Sequence, residues 1–149
     1  MRHVQSAEPL SAAIGDLADS EIEAAVALWR ACGLTRPWND PYADIRLALA
    51  GETSTVLAAR EGGALMATAM VGVDGHRGWV YYLGVDPGAR RRGLGRAMMA
   101  ACERWIVARG HPKLQLMVRT ENAATLAFYK ALGYEVQDTI VLGRRFDGR

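Results

Sequence analysis

The chain has 149 residues and a formal net charge of +2, and half of its residues are hydrophobic. That length fits one domain with one core, and the composition is ordinary for a globular protein. So small a charge gives no ground for a nucleic-acid or membrane partner, and no apolar run near the start is long enough for a signal peptide or a membrane span.

In chain order, Met1 to Leu10 lack a clean period and are expected to be partly disordered, followed by a short strand around Ser11 to Asp16. Asp19 or Ser20 can cap a first helix whose acidic start, Glu21 and Glu23, suits the positive end of its dipole. Ile22, Val26 and Trp29 recur at helical spacing, and Cys32-Gly33 ends the run. After the interruption LTRPWNDP, Asp40 followed by Pro41 signals the cap and first position of a second helix, to about Leu49. Thr55 to Ala59, Ala64 to Val73 and Gly78 to Val85 are rich in strand formers and are separated by Gly62-Gly63 and by the DGHRG turn. They read as an antiparallel meander that stops at Asp86-Pro87-Gly88.

A long helix is expected from Gly93 to Ala108, with Leu94, Met98, Ala101, Cys102 and Trp105 on one face. Leu114 to Val118 alternates as a strand. Asn122 caps a further helix with Leu126, Tyr129 and Leu132 inward, and Tyr134 to Phe146 reads as a final strand with an edge through which a homodimer could form. The order is β-α-α-β-β-β-α-β-α-β. The fold class is α/β (α+β), with a mixed, mostly antiparallel sheet flanked by about four helices in one domain over residues 1–149. Cys32 and Cys102 read as small buried hydrophobes in a reducing compartment, so a cytoplasmic protein is expected. No metal site is expected.

The stretch RRRGLGR, Arg90 to Arg96, lies between a strand end and a helix start. The first amides of a helix have no internal partners, and the dipole makes that end positive. Gly93 and Gly95 let an anion reach the backbone, and the arginines can reach outlying oxygens. This points to a ligand with a pyrophosphate; a solvated basic turn is the alternative. Asn122 and Tyr129, seven residues apart, fall on one helix face, where cap and core are their ordinary roles.

Together YYLGVDP, RRRGLGR and the pattern of Asn122, Phe128, Tyr129, Leu132, Gly133 and Tyr134 resemble the GNAT superfamily of N-acetyltransferases, from about Leu57 to Phe146. The DGHRG and RPWNDP stretches resemble small bacterial acetyltransferases within it. The resemblance implies acetyl-CoA as cosubstrate. Arg90, Gly93 and Gly95 then match the pyrophosphate motif, with the amides of Arg91, Arg92, Gly93, Leu94, Gly95 and Arg96 as the cradle. Leu83, Gly84 and Val85 would splay from their neighbour across a bulge and pair with the pantetheine arm, the Val85 amide facing the thioester oxygen. Asn122 would cap the cofactor channel, and Tyr129 would protonate the leaving thiolate.

The acceptor would be a primary amine of a small molecule or a protein. A lysine amine is neutral in roughly one molecule in a few thousand at pH 7, so a group must take its proton. The family's ribosomal-protein N-terminal acetyltransferases place a Glu in an LEVR strand, but here the strand reads LMVR, with Met117 at that position. Candidates for the base or the acceptor side are Asp74 and His76 in the DGHRG turn, Asn39 and Asp40 in RPWND, and Tyr81. Trp38 is a candidate pocket wall, and proton loss to solvent is an equal alternative for the base. An acyl-CoA sensor without turnover is the alternative function.

Overall fold

The computed structural model describes residues 13–149, so the expectation for Met1 to Leu10 and the first two residues of the expected opening strand lie outside it. The chain divides into two compact units, at 1–116 and 117–149.

In the first unit, strand β1 (Ala13–Asp16) is followed by helix α1 (Ile22–Ala31) and helix α2 (Pro41–Ala50). Then come strands β2 (Ser54–Glu61), β3 (Ala64–Val73) and β4 (Gly78–Val85), helix α3 (Leu94–Ala108) and strand β5 (Leu114–Leu116). The sheet order is β1-β2-β3-β4-β5. Every pairing is antiparallel except β4 with β5, which is parallel.

Local chemistry accounts for most boundaries. The Asp40 carboxylate accepts from the N–H groups of Tyr42 (3.0 Å) and Ala43 (3.2 Å), with Pro41 at the first helical position, so α2 starts as expected. The first helix differs. Asp19 and Ser20 lie in a short 3-10 turn, and Glu21 reaches back to accept from the Ala18 N–H at 2.9 Å. Its longer side chain can span that turn, and the same carboxylate meets the Arg60 guanidinium at 2.6 and 2.5 Å. That hydrogen-bonded pairing holds the Glu21 carboxyl below its usual range.

The sheet is covered on both faces. Leu17, Ile22, Ala25, Val26, Trp29, Ile45 and Ala48 pack with Val56 and Ala58 on one face. Helix α3 lies on the other, where Leu94, Met98, Met99, Cys102 and Ile106 are almost fully buried. Strand β2 is therefore buried from Val56 through Ala59 without alternation. Trp105 is only half-buried; Ile106 takes the core position and the Arg109 guanidinium stacks on the Trp105 ring, 3.5 Å from its centroid. Neither cysteine is in a disulfide: Cys102 is buried, while Cys32 is partly exposed.

The second unit contains helix α4 (Ala123–Ala131) and an irregular tail. The expected strand over Tyr134 to Phe146 is not formed, nor is the edge it would offer to a second copy. Ile140, Val141 and Leu142 suggest a strand by composition, but a strand exists only where a partner takes its backbone hydrogen bonds. These three side chains are exposed, Gly143 interrupts them, and the charged end closes on itself through an Arg145–Asp147 pair at 2.6 Å. Strand β5 likewise stops at Leu116, short of Val118.

Candidate active site

The meander carries one irregularity. Thr68 opposes Gly84 but Met70 opposes Tyr81, so Tyr82 and Leu83 stand against Ala69 alone, a β-bulge in β4. Tyr82 sits there in the left-handed region, with φ of 52°. For a residue with a Cβ this costs on the order of 1–2 kcal/mol, and the surroundings hold it. Its ring stacks on Trp29 at 3.8 Å, nearly parallel, and its hydroxyl donates to Asp44 Oδ2 at 2.7 Å. Trp29 Nε1 donates to Thr68 Oγ1 at 2.8 Å, and Thr68 Oγ1 donates to the Tyr82 carbonyl at 3.3 Å. Burial, then the hydrogen bond to Asp44, pushes the Tyr82 phenol well above its usual range.

The extra residue reverses the faces of β4. A Cβ at Gly78 would meet Ile106 of α3, whereas one at Gly84, of the same parity, would meet Leu34 and the Cys32 sulfur just beyond α1. Strand β5 pairs only with Gly78, Trp79 and Val80, so beyond Val80 no strand among the described residues of the first unit pairs with that side of β4. The Asp86 N–H donates to the Met66 carbonyl at 2.8 Å, and backbone groups alternate along an antiparallel ladder. Val85, next to Asp86, therefore turns its N–H and C=O away from β3. Its carbonyl accepts from Cys32 Sγ at 3.2 Å on that side.

The chain then passes a short turn, Pro87–Ala89, pinned by Asp86 accepting from the Gly88 N–H at 2.8 Å, and reaches RRRGLGR. Arg91 and Gly93 are both left-handed, with φ of 66° and 77°. No side chain caps α3 and no acidic residue stands in its first turn. The first helical bond runs from the Ala97 N–H to the Gly93 carbonyl, so the N–H groups of Leu94, Gly95 and Arg96 have no helical partner. This set of N–H donors at a positive helix end, ringed by the exposed Arg90, Arg91 and Arg96, suits an anion such as a pyrophosphate. The Leu94 side chain belongs to the core, so only its amide is offered there. Arg92 is paired with Glu61 of β2 at 2.8 Å.

The acceptor-side candidates separate. Asp40 is occupied as the α2 cap. Asp74 accepts from the N–H groups of Arg77 (2.7 Å) and His76 (2.9 Å) and from Trp79 Nε1 (3.1 Å). These bonds lower its pKa to about 2, a poor match for a base at neutral pH. His76 is an exposed residue of that turn. Tyr81 is half-exposed and lies near Trp79; its phenol is raised by burial and then by the Asp74 charge. Trp38 is exposed, and Asn39 bonds to the Tyr82 hydroxyl. No local pattern marks Tyr82, one residue of YYLGVDP, or Asp44 for a role, because the bond between them spans 38 positions.

Within the second unit, Asn122 Oδ1 accepts from the Thr125 N–H at 3.1 Å as the cap of α4. Tyr129 is 7% exposed, with the rings of Phe128 and Tyr134 edge-on at 5.0 and 5.8 Å. Met117 is half-exposed.

The profile of the Acetyltransferase (GNAT) family matches residues 22–134. An acetyltransferase of Yersinia enterocolitica is 47% identical over 126 residues, 85% of this chain and 89% of that protein. An acetyltransferase of Pectobacterium atrosepticum is 45% identical over 84% of the chain and 89% of its own length. Among solved structures, the aminoglycoside acetyltransferase AAC(6')-Iy with a CoA-linked bisubstrate analogue superposes with a TM-score of 0.77 at 19% identity, over 91% of this chain and 98% of that one. The ribosomal-protein-S18-alanine N-acetyltransferase of Escherichia coli gives 0.71 at 28% identity, over 82% and 76%. Likeness of this extent settles the family: the chain belongs to the acetyltransferase (GNAT) family, enzymes that carry an acetyl group from acetyl-CoA to an amine.

Proposed function

We propose that acetyl-CoA lies with its pyrophosphate on the amides and arginines of residues 90–96, and its pantetheine arm along Leu83 to Val85. The observation that carries this is the uncapped start of α3 after a bulged strand whose Val85 amide turns away from β3. A fixed N–H there would stabilise the oxyanion that forms as an amine attacks the thioester. Positioning the two reactants and excluding water is the rest of the protein's task. Asn122 is assigned to the cofactor channel, and Tyr129 to the proton that the departing thiolate takes. A phenol carries an O–H and can donate that proton to a departing thiolate.

The acceptor is a primary amine of a small molecule or protein, reached by direct attack. The whole chain acts as one N-acetyltransferase domain, in the cytoplasm, where two unpaired cysteines are at home. The exposed Ile140, Val141 and Leu142 support a homodimer. Among the described residues, no helix is long and apolar enough to cross a membrane.

Release of free thiol from acetyl-CoA against a panel of amines and peptides tests the reading. Turnover is expected, and Tyr129→Phe should lower kcat by about 100-fold with little change in acetyl-CoA affinity. Equal kcat in the variant removes the acid role from Tyr129. Tight cofactor binding without thiol release for any acceptor would make the protein a sensor.

A further inference from the structure

Most of the carboxylates near the sheet are committed. Asp40 caps α2, Asp74 closes its turn, Glu21 pairs with Arg60, Glu61 pairs with Arg92, and Glu23 accepts from the Tyr42 hydroxyl. Asp44 differs. Its Oδ2 accepts one hydrogen bond, from Tyr82, and its Oδ1 has no donor among the described residues. It takes part in none of the ion pairs found among those residues. It is half-buried, and the ring whose hydroxyl it accepts from is stacked on Trp29.

Its location is informative. Tyr82 is the bulge residue, and Leu83 to Val85 follow it directly, so one phenol links the Asp44 carboxylate to the strand assigned to the acyl arm. The same phenol is bonded by Asn39, from the segment that also presents the exposed Trp38. A bulge fastened by a stack and two hydrogen bonds gives the carboxylate a fixed position, which recognition of a charged group requires.

We propose that Asp44 is an anionic subsite that selects an acceptor carrying a second, cationic amino group, with Tyr82 as its positioning residue. This rests on the acetyl-transfer reading above. The reacting amine must be neutral to attack, whereas a carboxylate is best satisfied by a group that keeps its charge. The partner of Asp44 is therefore the amino group that is not acetylated, and the favoured acceptors are diamines and polyamines rather than simple alkylamines.

The test compares kcat/KM for putrescine and n-butylamine by thiol release, with acetyl-CoA binding measured by calorimetry on the same samples. The wild type is expected to favour putrescine by tenfold or more, and Asp44→Asn to lower that ratio by about tenfold. Tyr82→Phe keeps the ring on Trp29 and removes only the hydroxyl, so it should lower the ratio through KM while leaving kcat nearly in place. A wild-type ratio near one, a ratio that Asp44→Asn leaves intact, or bound acetyl-CoA with no thiol release from either amine overturns the subsite. Failure of the wild type to bind acetyl-CoA overturns the reading of the function, and the subsite with it.

Discussion

Asp74 and Asp44 carry the same side chain and have opposite surroundings. Asp74 collects three donors within its own turn, and the backbone N–H groups of Arg77 and His76 do most to lower its pKa to about 2. Because that value lies below the unfolded one of 3.8, the stabilisation is complete above about pH 4 and is lost as pH falls toward 2. Asp74→Asn removes the titration, so its stability should depend less on pH than the wild type's between about pH 4 and 2 in acid-unfolding curves. Parallel curves would show that the turn does not hold the carboxylate as described. Turn residues of this kind are legible from sequence, because all of Asp74's partners lie within five positions. The Tyr82–Asp44 bond spans 38 positions and Trp29–Thr68 spans 39, so no local pattern announces them.

The same division by sequence distance appears in the elements. The Asp40-Pro41 start of α2, the paired glycines between β2 and β3, and the DGHRG turn are short-range devices, and the structure realises each where the sequence placed it. The bulge and the absent final strand depend on what lies opposite, which one stretch of chain cannot encode. Resemblance to the family supplied the bulge that periodicity could not. Before the bulge, Gly78 is a packing position against α3. A Cβ there would lie 2.4 Å from Ile106 Cδ1 and within 2.7 Å of two further Ile106 carbons, and Ile106 is buried in the α3 face. Gly78→Ala should therefore cost about 1–3 kcal/mol in denaturant unfolding, from overpacking. A cost near zero would mean that α3 yields and that its seat on β4 is looser than this packing implies.

At the scale of the molecule, charge is the property that local reading misjudges most easily. The net charge is +2, yet four arginines lie within residues 90–96, so the rest of the chain is net negative. Positive potential is thus concentrated at one helix start, where the dipole adds to it, and Arg92 is partly offset by Glu61. A polyanionic cosubstrate bound there should feel salt strongly, because exposed charges are screened over about 8 Å at physiological ionic strength. The Kd for acetyl-CoA is expected to rise roughly tenfold between low salt and about 0.5 M salt. Arg90→Gln combined with Arg91→Gln should weaken binding at low salt and flatten that dependence. Arg104→Gln is the control. It removes one charge, against two in the double variant, from an exposed position on α3, ten residues beyond Leu94, about 15 Å along the helix and outside the screening length at physiological ionic strength. Calorimetric titrations at several salt concentrations separate the outcomes. Equal slopes for the double variant and the wild type would remove the arginines from the binding site, whereas a slope flattened as much by Arg104→Gln would reduce their role to the general field of the protein.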